Sequence, residues 1–450
     1  MAKLFGTDGV RGLANVAPMD SETVMRLGRA AAYVLRQSKG RHRILIGKDT
    51  RVSGYMLETA LASGISSMGV DVLLCGPIPT PGVAFMTRSM RADAGVMISA
   101  SHNSYEDNGI KFFGADGFKL ADSTEAEIER LMEPGQLDLL RATPELIGKA
   151  FRLEDALGRY TVFLKAVLER ELKFDGLKVV LDCANGAAYR VAPLVYSELG
   201  ATVITIGDEP DGKNINAGCG SLYPERMVEA VKQHGADLGI AYDGDADRVI
   251  ICDERGQIFD GDMLLAVLAS DFKKRGLLKS DGVVATVMSN FGLEVALRNL
   301  DIKLYRSDVG DRYVLGEMLA RGVTLGGEQS GHVISLEHNT TGDGVLTSLL
   351  VASLIVRGDE GPLSRYAGII DRYPQILLNV PVKKKIPFNE LPQVESVVRA
   401  VESRLKDRGR VLLRYSGTEQ KARVMVEAAD QSLCESSAHE IAEVIRQVLV

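Results

Sequence analysis

Short apolar runs alternate with stretches of helical periodicity through most of this 450-residue chain. Residues 43–47 (RILIG) and 70–75 (VDVLLC) predict buried strands, and Tyr55 to Met68 between them predicts a helix. Earlier, Ser21 to Gln37 places Val24, Leu27, Ala31, Val34 and Leu35 on one helical face. The rhythm returns with strands at 178–183, 201–206 and 237–242, separated by helical stretches at 188–199 and 224–234. A third set has strands at 282–287 and 303–307, with helices near 261–275, 292–300 and 311–320. Strands and helices in this alternation predict parallel βαβ units.

The end of the chain reads differently. A strand at 376–382 and a helix from Leu391 to Lys406 are followed by strands at 410–415 and 421–428 and a closing helix, Leu433 to Val448. That β–α–β–β–α order is an α+β pattern. With crossings near 150–158, 253–262 and 364–374, we expect four domains: 1–155, 156–255, 256–368 and 369–450. The predicted fold is three related α/β domains with mixed, mainly parallel sheets, then a C-terminal α+β domain. The length supports three or four domains at roughly 100–150 residues each.

Composition acts by exclusion. Apolar residues at 46% and charged residues at 25% rule out wholesale disorder and a fibrous architecture. Lys and Arg (53) against Asp and Glu (60) leave a formal charge of −7, which argues against nucleic acid or an anionic membrane as partner. Five scattered cysteines without a CxxC pair argue against disulfides or a Cys-based zinc site and fit a reducing compartment. No export signal is visible, and no apolar run reaches the roughly 18 residues of a membrane span. The expectation is a cytoplasmic protein.

Four segments carry candidate chemistry. In AYDGDADRVIIC (241–252), a strand runs into Asp243, Asp245 and Asp247 before a second strand begins. Carboxylates this close repel, by about 4 kcal/mol at ~4 Å and an effective dielectric of about 20. A hard divalent cation removes that penalty, and oxygen-only ligands select magnesium or calcium over zinc. A calcium EF-hand is rejected, because Arg248 falls where that loop requires Gly and VIIC is a strand. Arg248 reads as a phosphate ligand beside the metal. In GVMISASHNSYEDNGIKFFG (95–114), an apolar strand delivers Ser99-Ala100-Ser101-His102-Asn103, followed by the turn residues Asp107, Asn108 and Gly109 and then Lys111. A serine at a strand end is a candidate nucleophile or phosphoryl carrier; without a GxSxG elbow a Ser-His-Asp hydrolase is not supported.

In GGEQSGHVI (326–334), Glu328, Ser330 and His332 offer an acceptor, a donor/acceptor and an imidazole suited to polyhydroxyl recognition. In RYSGTEQKAR (414–423), Arg414, Ser416, Gly417, Thr418 and Arg423 surround a turn with N–H groups suited to phosphate. FGTDGVRG (5–12), with Arg11, and GKDTRVSG (47–54), with Lys48 and Arg51, add basic groups on Gly-containing loops.

Taken in order, FGTDGVRG, SASHN…DNGIK, DGDADR, GEQSGH and RYSGTE resemble the α-D-phosphohexomutase family over nearly the whole chain. GEQSGH, with the NIN..CGS stretch (Asn214, Ile215, Asn216, Cys219, Gly220, Ser221), is similar to its amino-sugar branch. The resemblance implies four domains around a central cleft, with Ser101 as the phosphoserine and Asp243, Asp245 and Asp247 holding one Mg²⁺ together with it. It implies Glu328 and Ser330 on the sugar hydroxyls and the 414–423 loop on the distal phosphate. The expected substrates are glucosamine 6-phosphate and glucosamine 1-phosphate, with glucosamine 1,6-bisphosphate as intermediate and activator, supplying UDP-N-acetylglucosamine synthesis. Arg11, Lys111 and Arg248 are expected to stabilise the transferring group beside His102, with His332 as proton handler. A homodimer is expected by resemblance alone.

Two departures stand out. Ser104 replaces the family's usual Pro after SASHN, and Tyr415 and Gln420 replace the prolines of RPSGTEP. Because proline fixes φ near −65°, both loops are expected to be more mobile. The alternative within the family is a phosphomannomutase/phosphoglucomutase. Outside it stand an aspartyl-phosphate phosphatase, with Asp243 as nucleophile and Asp245 as acid, and a non-enzymatic sugar-phosphate sensor. The phosphatase's usual Thr or Val after the second Asp is absent here.

Overall fold

The computed structural model describes residues 4–36, 40–357, 361–416 and 419–449. Its first sheet contains β1 (Val10–Leu13), β2 (His42–Lys48), β3 (Val70–Pro77), β4 (Ala94–Ile98), β5 (Asp107–Gly114) and β6 (Ala150–Arg152), in the order β1-β5-β4-β2-β3-β6. β2 runs parallel to β3 and β4, and β3 to β6; β5 is antiparallel to β4 and β1. The helices of this domain are α1 (Ser21–Leu35), α2 (Ser53–Ser66), α3 (Thr80–Ser89) and α4 (Asp122–Leu131). Asp20 starts α1 by accepting from Thr23 N at 2.8 Å, and the face bearing Val24, Leu27 and Ala31 is buried. Close packing of α1 on α2 depends on two glycines. A Cβ on Gly64 would stand 2.2 Å from Met25 O, and one on Gly28 would stand 2.9 Å from Leu61 O.

Two expectations change here. Asp107, Asn108 and Gly109 are not a turn: they open β5, paired with Leu13, Gly12 and Arg11 of β1. The crossing at 150–158 holds a strand and the start of a helix, since β6 pairs with β3 and α5 (Ala156–Ala166) begins directly after it. β5 follows β4 antiparallel without a helical spacer and β1 pairs with β5 at the sheet edge, so the βαβ rhythm does not announce them.

The second sheet contains β7 (Lys178–Asp182), β8 (Thr202–Ile206), β9 (Leu238–Tyr242), β10 (Val249–Asp253) and β11 (Ile258–Phe259), in the order β11-β10-β9-β7-β8. Helices α6 (Ala188–Glu198) and α7 (Glu225–His234) supply its parallel crossovers. The third domain comprises α8 (Gly261–Lys274), β12 (Gly282–Thr286), α9 (Phe291–Asn299), β13 (Lys303–Ser307), α10 (Asp311–Arg321), β14 (Leu325–Gly327), β15 (Val333–Ser335) and α11 (Gly344–Val356). Its sheet order is β13-β12-β14-β15, with β12 parallel to β14 and β15 antiparallel to it. α11 is apolar on all sides and buried from Gly344 to Leu354, so it has no amphipathic stripe.

The C-terminal domain has β16 (Gln375–Pro381), α12 (Pro392–Leu405), β17 (Gly409–Tyr415), β18 (Lys421–Ala428) and α13 (Gln431–Leu449). The antiparallel sheet, ordered β16-β18-β17, buries Ala422, Val424 and Val426 with Ala438, Ile441 and Ile445 of α13. The chain separates into two compact units, 1–286 with 305–367 and 287–304 with 368–450. Among the described residues no helix is long and apolar enough to cross a membrane.

Candidate active site

The antiparallel hairpin of β9 and β10 is joined by residues 243–248, and this loop brings the three aspartates together. Each can offer a carboxylate oxygen within 4.8 Å of the others. Ala246 takes a left-handed conformation, φ 55°, which turns the chain so that all three side chains converge. β4 ends at Ile98, and the following loop presents Ser101 at φ 52°. Ser101 Oγ donates to Asp243 Oδ2 at 2.6 Å. The serine and the acidic triad therefore meet across 142 residues of sequence.

The triad is buried and incompletely satisfied. Asp245 accepts from Thr80 Oγ1 at 2.6 Å and Lys111 Nζ at 2.9 Å through one oxygen, while its Oδ1 and the Oδ1 of Asp247 are buried without a hydrogen-bond partner. Burial, with Asp247 and Asp245 alongside, drives the Asp243 carboxyl well above its usual range. Burial also opposes ionisation of Asp247, but Lys111 and His332 outweigh it and hold this carboxyl low. Orphaned carboxylate oxygens around a common point, with no nitrogen or sulfur donor among them, fit a hard divalent cation.

A cavity of about 470 Å³ opens beside the triad. Arg11, His102, Asp247, Arg248, Glu328 and His332 all line it, together with Asp8 and Asp311. His102 Nδ1 lies 3.3 Å from both Ser101 Oγ and Arg248 Nη1. Burial and then the Arg248 and Arg11 guanidinium groups lower its pKa, which favours the neutral imidazole. His332 is the opposite case. Burial disfavours its charge, but Asp247 at 3.7 Å and Asp311 at 3.8 Å raise its pKa. Glu328 is aimed by a hydrogen bond to its Oε1 from Gly310 N at 3.0 Å.

Several predicted residues sit elsewhere than expected. Lys111 is buried between Asp245, Asp247 and Asp8, at 2.9, 3.4 and 3.2 Å, so it neutralises the triad's surroundings. Ser330 is exposed and is not among the residues lining the cavity. In the smaller unit, Arg414 and Arg423 stand directly opposite each other on β17 and β18, and Arg423 Nη2 donates to the buried Ser416 Oγ at 3.4 Å. Two guanidinium groups facing each other on one sheet surface repel, and an anion between them relieves the repulsion. Gly417 and Thr418 lie outside the described residues. Tyr415 has supports of its own where the family has proline. Its ring stacks on Phe388 at 4.2 Å, and its hydroxyl donates to Ile386 O at 2.5 Å.

Sequence reasoning missed Asp8 and Asp311, which bracket Lys119 in ion pairs at the cavity wall. Asp8 stood inside a motif already singled out, and its place three residues before Arg11, with which it ion-pairs, was the available signal. Asp311 carries no motif of its own, and its place follows from α10 starting at that position. Arg51 is not a surface charge: it is fully buried beneath the serine loop.

The fold and this site define a sugar-phosphate mutase architecture, and comparison with known proteins agrees. Models of the phosphoglucomutase/phosphomannomutase family match in succession: alpha/beta/alpha domain I over residues 2–137, domain II over 159–256, domain III over 260–373 and the C-terminal domain over 377–444. The chain belongs to this family. Phosphoglucosamine mutase of Syntrophotalea carbinolica is 57% identical over 448 residues, covering 99% of this chain and 98% of that protein. Phosphoglucosamine mutase of Myxococcus xanthus is 56% identical over 447 residues, covering 99% and 97%. Among solved structures, a phosphoglucomutase/phosphomannomutase family protein from Burkholderia thailandensis superposes with a TM-score of 0.81 at 21% identity, covering 99% and 97%, a likeness of fold.

Proposed function

We propose that this chain is a phosphoglucosamine mutase, interconverting glucosamine 6-phosphate and glucosamine 1-phosphate through phosphoserine 101 and glucosamine 1,6-bisphosphate. Its product would supply UDP-N-acetylglucosamine synthesis. The observation that carries the reading is Ser101 Oγ at 2.6 Å from Asp243, inside a buried triad with two orphaned carboxylate oxygens. The identity above 55% to proteins named for this activity supports the substrate.

Asp243, Asp245 and Asp247 would hold one Mg²⁺ with the Ser101 phosphate. When bound there, the ion supplies positive charge that makes the seryl oxygen a better leaving group. In the first half-reaction, the free sugar hydroxyl attacks phosphorus and passes its proton to a base, while the seryl O–P bond breaks and the seryl oxygen takes up a proton to become the free Ser101 hydroxyl. His332, on the cavity wall, is our candidate for that proton: in its neutral form Nε2, which lacks a hydrogen-bond partner, can accept it, and Asp247 and Asp311 then stabilise the imidazolium. The bisphosphate then turns over, and its other phosphate returns to Ser101. Arg11 and Arg248 carry charge for the transferring oxygens, with neutral His102 beside them, while Lys111 balances the triad. Glu328 reads the sugar hydroxyls, with Ser330 joining if its loop moves inward. Arg414, Ser416 and Arg423 grip the distal phosphate, with Gly417 and Thr418 of the same motif assigned there from the sequence. In this reading the chain divides into domains 1–155, 156–255, 256–368 and 369–450, each carrying one of these loops.

Intact mass before and after phosphatase treatment, with peptide mapping of residues 95–111, tests the carrier; we expect one phosphoryl group on Ser101. Relative rates on glucosamine, glucose and mannose 6-phosphates test the substrate. A strong preference for mannose, or a hydroxylamine-labile phosphate on Asp243, would overturn the reading.

A further inference from the structure

Ser101 holds a backbone conformation unusual for a non-glycine residue, φ 52°, and the structure surrounds that strain with donors. Its carbonyl oxygen accepts from Arg51 Nη2 at 3.1 Å and from Asn216 Nδ2 at 2.9 Å. The carbonyl of Asn103 accepts from the same two atoms, at 2.6 and 3.0 Å. Four hydrogen bonds thus hold two carbonyls, with one donor from the 49–52 loop after β2 and the other from the 214–216 loop of the second sheet's domain. Arg51 is itself fixed: it is fully buried and ion-paired with the equally buried Asp49. The metal loop meets the same point. A Cβ on Gly244 would stand 2.5 Å from Ser101 O and 2.8 Å from Asn216 Nδ2, so the aspartate loop packs directly on the clamped carbonyl.

We infer that Asn216 and Arg51 are positioning residues that lock the Ser101 backbone against the aspartate loop, setting the seryl oxygen in line for phosphoryl transfer. Neither residue lines the cavity beside the triad, so both act through the backbone of the serine. The inference rests on the mutase reading above. The clamp fixes the donor atom and leaves the sugar contacts alone, so its loss appears in kcat and not in KM. A misplacement of about 1 Å at a reacting atom costs on the order of 100-fold in rate.

The test is Asn216→Ala and Asn216→Asp in the full chain, assayed for glucosamine 1-phosphate turnover with Mg²⁺ and bisphosphate, alongside thermal midpoints. We expect kcat to fall about 100-fold in Asn216→Ala with KM within about twofold of wild type. Asn216→Asp has nearly the same shape but points an acceptor at two carbonyls, so it should be no better than alanine. Wild-type kcat in Asn216→Asp, or a loss confined to KM, would overturn the clamp. Should the Asn216 variants fail to fold, Arg51→Lys decides by the same split: it keeps the charge beside Asp49 but loses the forked donor. Wild-type enzyme that turned over none of these sugar phosphates would instead count against the mutase reading itself.

Discussion

The two places where this chain would handle phosphate are built to opposite specifications. In the larger unit, Ser101, Lys111, Asp243 and Asp245 are all nearly or fully buried, and the serine's backbone is bonded from two sides. In the smaller unit, Arg414 and Arg423 are half-buried on a sheet surface, and the bond from Arg423 to Ser416 is a long 3.4 Å. The contrast follows from the work each does. Bond breaking needs atoms fixed before the reaction, in a site where charge is not screened by water. A grip on the non-reacting phosphate must accept a sugar bound in either orientation, which favours cationic charge over directional contacts. The first site gains from rigidity, and the second loses little by lacking it.

The sharpest way to break this comparison is to remove charge from the rigid site. Asp245→Asn, or a chelator added to wild-type enzyme, should lower turnover by about 1000-fold, since charge neutralisation at a transferring phosphoryl group is worth about 4 kcal/mol. A chelator that left steady-state turnover unchanged would remove the triad from the mechanism. Next in size, Arg423→Ala should raise KM for the sugar phosphate about tenfold to hundredfold, with kcat little changed, as expected for one charged hydrogen bond of about 1.5–3 kcal/mol. Arg423→Lys should recover part of that. Equal losses of kcat in Asp245→Asn and Arg423→Ala would erase the distinction between the two sites.

Much of this was legible in the sequence, for a physical reason. Parallel strands and their helices are long, periodic and bounded by turn residues, so β2, β3, β7 and β9 fall within a residue or two of the predicted ranges. The aspartates, Ser101 and Glu328 announce themselves because their chemistry demands particular residue types at close spacing. What pattern does not carry is pairing between distant segments. Strand β5 was concealed because Asp107-Asn108-Gly109 has turn composition yet is held in a ladder by β1, and β1 lies 94 or more residues earlier. Helix α11 escaped because burial on every side removes the period. Arg51 and Asn216 were quoted as parts of motifs, but two donors meeting on one carbonyl is a property of the fold.

The Glu328 loop supplies the next test, because its support comes from another domain of the same unit. Arg312 at the start of α10 makes a two-bond pair with the nearly buried Glu125 of α4, at 2.6 and 3.2 Å. The two residues before it are Asp311, paired with Lys119, and Gly310, whose N–H aims Glu328. Arg312→Ala should cost about 2 kcal/mol of stability by leaving Glu125 unpaired, less than a fully buried pair because Arg312 is partly exposed. It should also raise KM several-fold by freeing the Glu328 support. Arg312→Met combined with Glu125→Leu should restore the thermal midpoint. If KM recovers with it, Arg312 acts through overall stability and not through Glu328.

The smallest effect concerns how each unit keeps an acid inside. Glu427 of the smaller unit is buried against the Arg410 guanidinium, with Asn290 Nδ2 at 3.1 Å. Asp343 of the larger unit caps α11 with neutral partners: Leu346 N at 2.9 Å, Tyr160 Oη at 2.8 Å and Asn339 Nδ2 at 3.1 Å. Burial outweighs those hydrogen bonds and pushes its carboxyl up to about 6. A carboxyl raised on folding binds its proton more tightly in the native state than in the unfolded chain. Its contribution to stability is therefore complete at low pH and is lost as pH rises through about 6. Asp343→Asn keeps a capping side chain but cannot titrate. The stability of wild type relative to this variant should thus fall by about 1 kcal/mol from about pH 5 to about pH 7.5, read from denaturant midpoints. A gap that stays constant or widens with pH would show that the neutral donors stabilise the Asp343 charge as well as a guanidinium would.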